Sequence, residues 1–237
     1  APLPKAWLER QRAMLGALRA RPAALEGGLR VPRHQAPMVA TLAEAADTQT
    51  LDAGFTAFTD RLRTFGGIAD VEAPAGFTGT LRPYQARGLA YLAFLRDFGL
   101  HGILADDMGL GKTVQAAALL LLAHAGGDGP PSLVVAPTSL LENWRQELAR
   151  FAPGLRTLVL HGPTRDLGAI ANHDVVITTY ATARLDADQH AERTYDTLLL
   201  DEAQAIKNPQ AQTTLALGRF QARHRLALTG TPIENDL

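Results

Sequence analysis

The sequence predicts an α/β fold in which a mostly parallel sheet is covered by helices on both faces. The first observation is a series of short apolar runs that begins soon after Leu81 and alternates with helical patterns. The runs are GILAD, SLVVAP, RTLVL, DVVIT, TLLLDE and RLALTG. The second observation is their composition, since continuous Val/Leu/Ile-rich strands separated by helices are typical of βαβ units.

One of the intervening helices is expected to open at Ser139. Ser139 and Glu142 match a capping box, in which two side chains satisfy the first backbone N–H groups of a helix. The apolar residues that follow recur at helical spacing, and they are Leu141, Trp144, Leu148 and Phe151. We therefore interpret Trp144 as a core residue rather than as a platform on which a nucleic-acid base stacks.

Residues 1–75 read differently and are predicted to form a small helical N-terminal extension, the end of an accessory region, ahead of an α/β domain at residues 76–237. Two amphipathic helices are expected in the extension. Their apolar positions are Trp7, Met14, Leu15 and Leu18 in the first and Leu51, Phe55, Phe58, Leu62 and Phe65 in the second. Residues 1–33 hold seven basic side chains against two acidic ones, which favours a solvated helix face, with a DNA contact as the alternative.

The composition excludes several kinds of site. The chain has no cysteine, which rules out disulfides, thiolate nucleophiles and cysteine-based metal centres and fits a reducing cytoplasm. A net charge of −1 with 46% hydrophobic residues argues against disorder and against a uniformly basic surface, so any nucleic-acid contact is local. No apolar run approaches the roughly 20 residues that span a bilayer, and no membrane segment is expected.

Residues 103–113, ILADDMGLGKT, combine a strand, a glycine loop and the start of a helix. This arrangement aims backbone N–H groups and the positive end of a helix dipole at one spot, which is the physical basis of polyphosphate binding. Lys112 would reach the β- and γ-phosphates, and the Thr113 hydroxyl would ligate Mg2+. The strict P-loop pattern has glycine where Asp106 stands, so an ordinary glycine turn is the alternative.

A second element ends an apolar strand in two acids, Asp201 and Glu202. One carboxylate at the carboxyl edge of the sheet would hold Mg2+, and its neighbour would orient and polarise an attacking water. Adjacent acids are common on loops. Their occurrence with a Gly-Lys-Thr loop at the same edge of a parallel sheet, where ligands of such sheets bind, favours a nucleotide site.

Six motifs together resemble those of the Swi/Snf-type ATPases of helicase superfamily two. They follow the family's order and spacing from Leu81 to the end of the chain, as LRPYQARGLAYL, ILADDMGLGKT, LVVAPTSLLENWRQEL, VVITTY, DEAQAIKNP and LALTGTPIEN. The chain is identified by this resemblance as a bacterial member, which implies a RecA-like P-loop NTPase lobe. The family's phosphate loop has two acids before Met-Gly-Leu-Gly-Lys-Thr, which accounts for Asp106, whereas Asp107 stands where glutamate is usual.

The resemblance implies that the chain binds ATP and Mg2+. Lys112, Asp201 and Glu202 would be catalytic, with Glu202 as the base and with Thr113 and Asp201 as the Mg2+ ligands. The nucleotide would contact the phosphate loop at Asp107, Met108, Gly109, Leu110, Gly111, Lys112 and Thr113.

The adenine edge would be hydrogen-bonded by Gln85, with Arg82 and Tyr84 beside it, as the resemblance implies. The alternative is a glutamine that faces solvent at the start of a helix. Gln204 stands where many relatives have histidine, and it would couple the nucleotide to the DNA side. Thr229, Gly230 and Thr231 would form the second coupling element, with a plain turn before Pro232 as the alternative.

DNA contacts in this family come from loops that follow strands. Here these loops would be Pro137, Thr138 and Ser139 after one strand and Thr178, Thr179 and Tyr180 after another. Hydroxyls and backbone N–H groups hold phosphates without reading bases, which suits a motor that moves over any sequence. Ser139 would combine this contact with its place in the capping box.

The resemblance implies the N-terminal RecA-like lobe of a DNA-stimulated ATPase that translocates on duplex DNA and remodels protein–DNA complexes. Its partners would be double-stranded DNA, RNA polymerase or another DNA-bound protein, and its own C-terminal RecA-like lobe, which supplies an arginine finger. Without that lobe the chain is expected to be nearly inactive in hydrolysis. We expect a cytoplasmic, nucleoid-associated protein. The alternatives are a strand-separating helicase and a nucleotide-dependent docking module.

Overall fold

The computed structural model describes residues 21–22, 29–30, 35–37, 39–40, 53–107, 109–127 and 129–230. The chain divides into two compact units, Ala1–Gly67 and Ile68–Leu237. The predicted division after residue 75 stays a prediction.

Among its described residues, the first unit contains a small ribbon, helical residues at 36–37 and 39–40, and a longer helix. Strand β1 (Arg21–Pro22) pairs antiparallel with β2 (Leu29–Arg30), and helix α1 covers Ala53–Arg63. Helix α1 coincides with most of the second predicted helical pattern, and its Phe58 side chain is buried. The first predicted helix, which includes Trp7, lies outside the described residues.

The second unit is built on a six-stranded sheet in which every pairing is parallel, which confirms the predicted fold class. The strand order is β3-β8-β7-β4-β6-β5. The strands are β3 (Gly102–Leu104), β4 (Ser132–Ala136), β5 (Thr157–Leu160), β6 (Val175–Thr179), β7 (Thr194–Asp201) and β8 (Gln221–Leu228).

Helices cover both faces of the sheet and create two apolar cores. Alternate residues of β4 point into different cores, with Val134 in the first and Leu133 and Val135 in the second. The helices of the first core are α2 (Pro83–Asp97), α3 (Lys112–Ala123) and α4 (Leu141–Phe151). The helices of the second core are α5 (Tyr180–Leu185), α6 (Ala187–Ala191) and α7 (Gln212–Gly218). Among the described residues, no helix is long and apolar enough to cross a membrane.

The predicted capping box at Ser139 is wrong, although the apolar stripe behind it is confirmed. A 3-10 turn at Thr138–Leu140 precedes helix α4, so the N-cap is Leu140, one residue later than expected. The Glu142 carboxylate accepts hydrogen bonds from Arg145 and Gln146 on its own helix instead of reaching back to the cap. Within the stripe, Leu141, Trp144 and Leu148 are buried as predicted.

The sheet topology brings the predicted site residues to one edge. In a parallel sheet all strands end on the same side, and ligands of such sheets bind there. The phosphate loop follows β3, the loop at Pro137 follows β4, and helix α5 follows β6. Strand β7 ends at Asp201, and Thr229 follows β8.

Candidate functional site

The loop between β3 and α3 has the backbone conformation of a phosphate-binding loop. Gly109 and Gly111 have φ values of 82° and 80°, in the left-handed region that glycine adopts without a steric penalty. A Cβ atom at Gly111 would also lie 2.5 Å from Gln85 Nε2, so a larger residue would have to displace the Gln85 side chain. Helix α3 begins directly afterwards, which puts Lys112 and the half-buried Thr113 in its first turn, where the helix dipole favours anions.

The Lys112 ammonium folds back on this loop. Its Nζ atom donates to the backbone carbonyl oxygens of Asp106, at 2.7 Å, and Asp107, at 3.1 Å. An ammonium has three donors on a compact centre and can exchange carbonyl partners for phosphate oxygens without moving the loop. The side chain is therefore placed to act as the cation of the site.

Two side chains of helix α2 fix the other side of the loop. Gln85 Nε2 and Tyr84 Oη both donate to the Leu110 carbonyl oxygen, at 3.1 and 2.9 Å. Gln85 Oε1 accepts from the backbone N–H of Arg82, at 2.9 Å, at the start of the helix. Gln85 is only 7% exposed, so the alternative of a solvent-facing glutamine is wrong. Its contact with adenine stays a prediction, and Met108 lies outside the described residues.

The acid pair is held from two directions. Asp201 Oδ2 accepts from the indole Nε1 of the fully buried Trp144, at 2.8 Å, and Asp201 Oδ1 accepts from the Glu202 backbone N–H, at 3.0 Å. Burial is the main cause that raises the pKa of Asp201; the charge of Glu202 also raises it, whereas the Trp144 hydrogen bond and the Lys112 charge lower it. The phosphate loop after β3 and the acid pair at the end of β7 lie at the carboxyl edge of the same parallel sheet.

Glu202 has an unusual backbone conformation. Its φ of 49° and ψ of 53° are left-handed, and it is the one non-glycine residue with positive φ in the part of the chain that the structure describes. This conformation costs about 1–2 kcal/mol for a residue with a Cβ atom. Such strain persists only where the surroundings determine it, and it concentrates at functional sites.

A chain of hydrogen bonds connects Glu202 to strand β8. Gln204 Nε2 donates to Glu202 Oε2 at 2.5 Å, and Gln204 Oε1 accepts from Thr229 Oγ1 at 3.0 Å. The Thr229 backbone N–H donates to the Leu104 carbonyl oxygen at 3.2 Å, just before the phosphate loop. The two predicted coupling elements therefore touch each other and both sides of the site. Gly230 follows Thr229, and Thr231 lies outside the described residues.

The two predicted DNA loops differ in accessibility. Thr138 and Ser139 are exposed and Pro137 is half-buried, so this loop can meet a phosphate backbone. Thr178 and Thr179 are buried: Thr178 Oγ1 donates to the Leu160 carbonyl oxygen at 2.9 Å, and Thr179 caps helix α5. Their hydroxyls are thus used inside the fold, and their contact with DNA stays a prediction.

Tyr180, which is predicted to contact DNA, contacts the acid pair. Its hydroxyl donates to the backbone carbonyl oxygen of Asp201 at 2.7 Å. Sequence reasoning missed this contact and the one between Trp144 and Asp201. The partners are 21 and 57 residues apart, and no periodic pattern pairs them.

The donor chemistry of the site fits ATP with Mg2+. Mg2+ prefers oxygen ligands and usually takes only one or two carboxylates from the protein, beside phosphates and waters. The Asp201 carboxylate, with the Thr113 hydroxyl, is a set of this kind. Among the described residues, no cluster of three or more His, Asp or Glu side chains forms a separate metal centre.

Comparison with known proteins gives consistent results. The chain is 41% identical over 183 residues to YwqA of Bacillus subtilis, which is named as an ATP-dependent helicase/translocase. The matched region covers 75% of this chain and 20% of YwqA. It is 41% identical over 181 residues to the chromatin-remodeling ATPase INO80 of Arabidopsis thaliana, covering 70% of this chain and 12% of that one.

The SWI2/SNF2 ATPase core of Sulfolobus solfataricus in complex with dsDNA superimposes with a TM-score of 0.66 at 40% identity, over 71% of this chain and 35% of that one. The chain therefore spans only a fraction of the length of these relatives. The family model of the SNF2-related domain matches residues 84–237, and we conclude that the chain belongs to this family of Swi/Snf-type ATPases of helicase superfamily two.

Proposed function

We propose that this chain is the ATP-binding lobe of a DNA-stimulated motor that translocates on duplex DNA and remodels protein–DNA complexes. The observation that carries the proposal is that the phosphate loop with Lys112 and the acid pair Asp201 and Glu202 follow strands that end at the same carboxyl edge of the sheet. The solved relative that is described as bound to dsDNA supports duplex DNA as the track.

The residues divide the chemistry as follows. Lys112 binds the β- and γ-phosphates, and Thr113 and Asp201 hold Mg2+, which supplies positive charge to the phosphates when bound. Glu202 orients the attacking water and accepts its proton. Gln85 and Tyr84 fix the phosphate loop beside the base, with Arg82, Asp107, Gly109, Leu110 and Gly111 completing the surface that meets the nucleotide.

DNA stimulation reaches this site through the loops at the same edge. The phosphate backbone of DNA is held by Pro137, Thr138 and Ser139. A displacement of the strand ends by DNA would change the position of Glu202, because hydrogen bonds connect Thr229 to Gln204 and Gln204 to Glu202. A second lobe would supply an arginine finger, which is worth about 10^3 to 10^5 in rate. We therefore expect this chain alone to hydrolyse ATP at least about a thousandfold more slowly than the full-length protein.

The expected partners are duplex DNA and a DNA-bound protein such as RNA polymerase, in the nucleoid of the cytoplasm. A strand-separating helicase is the second candidate, because the name of YwqA includes helicase activity. In a nucleotide-dependent docking module, by contrast, Lys112→Ala would leave the cellular function intact.

Translocation and strand separation can be distinguished on one substrate pair. The full-length protein is mixed with ATP and either a duplex that carries a third, triplex-forming strand or a blunt duplex of the same sequence, beside Lys112→Ala. Displacement of the third strand without separation of the blunt duplex is the expected result. Efficient separation of the blunt duplex would favour the helicase, and displacement by Lys112→Ala would contradict an ATP-driven motor.

A further inference from the structure

The peptide that joins Asp201 to Glu202 is hydrogen-bonded on both of its polar atoms. Its carbonyl oxygen accepts from Tyr180 Oη at 2.7 Å, and its N–H donates to Asp201 Oδ1 at 3.0 Å. Rotation of this peptide would break both bonds at a partly buried position, where unpaired backbone groups are costly. The peptide is therefore locked in one orientation.

That orientation determines where Glu202 points. A peptide flip changes ψ of the first residue and φ of the second, and Glu202 holds a strained φ of 49°. The left-handed conformation is stable only while its neighbours impose it. The Tyr180 hydroxyl is the side-chain donor on the carbonyl oxygen of this peptide, so it helps to maintain the strained conformation.

Tyr180 is built to serve as such a donor. It is the first residue of α5, and the two threonines before it are anchored by the hydroxyl contacts of Thr178 with Leu160 and of Thr179 with Thr182. The Tyr180 side chain has a single O–H donor, and it donates to the Asp201 carbonyl oxygen.

The contact also crosses the sheet. Strand β4 lies between β6, which precedes Tyr180, and β7, which ends at Asp201. Tyr180 thus spans the end of β4, the strand that leads into the exposed loop at Pro137–Ser139. A displacement at these strand ends would reach the acid pair through one side chain.

We propose that Tyr180 is a positioning residue of the ATPase site, whose hydroxyl fixes the Asp201–Glu202 peptide and thereby the Glu202 carboxylate. This inference rests on the proposed role of Glu202 as the base, and it places Tyr180 inside the site rather than on the DNA. The Trp144 indole N–H likewise fixes the Asp201 carboxylate through its hydrogen bond to Oδ2.

The test separates positioning from DNA binding and from stability. ATP turnover is measured on the full-length protein with saturating duplex DNA, for the wild type and for Tyr180→Phe. A misplaced base costs about 10- to 100-fold in kcat, whereas KM for ATP and the DNA concentration for half-maximal stimulation should stay within about twofold, because no contact with either ligand is removed.

The matched control is Tyr195→Phe. Tyr195 lies on strand β7, which ends at Asp201, and its side chain is fully buried. Its hydroxyl lies 2.6 Å from His190 Nδ1, away from the acid pair. Both variants remove the hydroxyl oxygen of a tyrosine, so an effect of the lost atom on packing alone would lower kcat in both. We expect the kcat of Tyr195→Phe to stay within about twofold of the wild type, because this hydroxyl touches no site residue.

A rescue experiment isolates the donor. With 4-aminophenylalanine at position 180 a hydrogen-bond donor is kept and kcat should recover, whereas 4-fluorophenylalanine keeps the shape without a donor and should behave like Tyr180→Phe. If Tyr180→Phe does not fold, the comparison of 4-aminophenylalanine with 4-fluorophenylalanine at position 180 takes its place.

Several outcomes would overturn the inference. They are an unchanged kcat with a higher DNA requirement, a lower melting temperature with unchanged kcat per folded molecule, and equal turnover of the two unnatural variants. A wild-type protein that does not hydrolyse ATP would overturn the proposed function and this inference with it.

Discussion

At the scale of single residues, Asp201 shows how the fold holds the carboxylate that we propose as a metal ligand. The residue is 6% exposed, and burial raises the pKa of its carboxyl group. Both oxygens accept hydrogen bonds from neutral donors, which hold the carboxylate in place without neutralising it. A buried carboxylate that is costly to ionise gains from a nearby cation, which relieves that cost. These contacts support the proposed role of Asp201 as a metal ligand.

The hydrogen bonds of Gln204 test whether the coupling residues act as a unit. Thr229→Val removes the donor to Gln204, and Gln204→Leu removes both contacts of that side chain. We expect each variant to lower the DNA-stimulated kcat of the full-length protein, and the double variant to be no slower than Gln204→Leu alone. The kinetic coupling energy from this double-mutant cycle should be about 0.5–3 kcal/mol. Additive effects would show that the two residues act independently.

Residue positions were predictable here where a motif carries them. The positions of Lys112, Asp201 and Glu202 follow from a glycine loop and an acid pair at strand ends, because parallel strands bring both to one edge. The contacts of Trp144 and Tyr180 with Asp201 were not predictable from one sequence. They join separate elements, and each side chain also reads as an ordinary apolar or surface residue in its own local pattern.

At the scale of elements, helices α2 and α3 meet closely behind the phosphate loop. A Cβ atom on Gly88 of α2 would lie 1.7 Å from Gln115 Oε1 of α3, so any larger residue there must displace the Gln115 side chain. Gln115 is fully buried, and its Nε2 donates to Asp106 Oδ2 at 2.8 Å. The helix contact therefore also holds the first acid of the phosphate loop.

Gly88→Ala should disturb both stability and the loop. The added methyl group must displace Gln115, and overpacking of this kind costs about 1–3 kcal/mol. We expect a lower free energy of unfolding in chemical denaturation and weaker binding of an ATP analogue, because the contact of Gln115 with Asp106 is lost. The matched control is Gly218→Ala at the end of α7, where nothing lies within 4 Å of the added Cβ. Equal loss of stability in the two variants would contradict the account.

Elements with a strong periodic pattern were predictable, and their ends were not. The stripe of helix α4 is set by burial, which repeats along the sequence and is confirmed at Trp144 and Leu148. The capping box at Ser139 failed because a 3-10 turn intervenes and Glu142 bonds within its own helix. Local capping signals are worth about 1 kcal/mol, and other local contacts readily outweigh them.

At the scale of the whole lobe, the second core contains a buried histidine. His190 is fully buried, with Nδ1 2.6 Å from Tyr195 Oη and its ring centroid 5.0 Å from that of Phe220. Its Nε2 has no hydrogen-bond partner among the described residues. Burial is the main cause that lowers the pKa of His190 to about 4. The charge of Asp186 raises this pKa, whereas the charges of Arg193 and Arg165 lower it further.

His190 makes the stability of the lobe depend on pH. Between pH 6.5 and 4 the unfolded chain binds a proton at this histidine while the folded chain does not, so stability falls as the pH falls through this window. The contribution is about 2–3 kcal/mol between pH 7 and pH 4.5. His190→Gln cannot titrate and should show a smaller difference in the free energy of unfolding between these two pH values. An unchanged difference would show that His190 is not the group responsible; His161→Gln, at an exposed histidine, is the control.

The most direct test of the central claim is ATP turnover by the full-length protein without nucleic acid and with single-stranded DNA, duplex DNA or duplex RNA. Each reaction is run beside Glu202→Gln, which keeps the size of the side chain but cannot accept a proton from water. The account predicts strong stimulation by duplex DNA that disappears in Glu202→Gln. Stimulation by RNA or single strands alone, or turnover that survives the substitution, would contradict it.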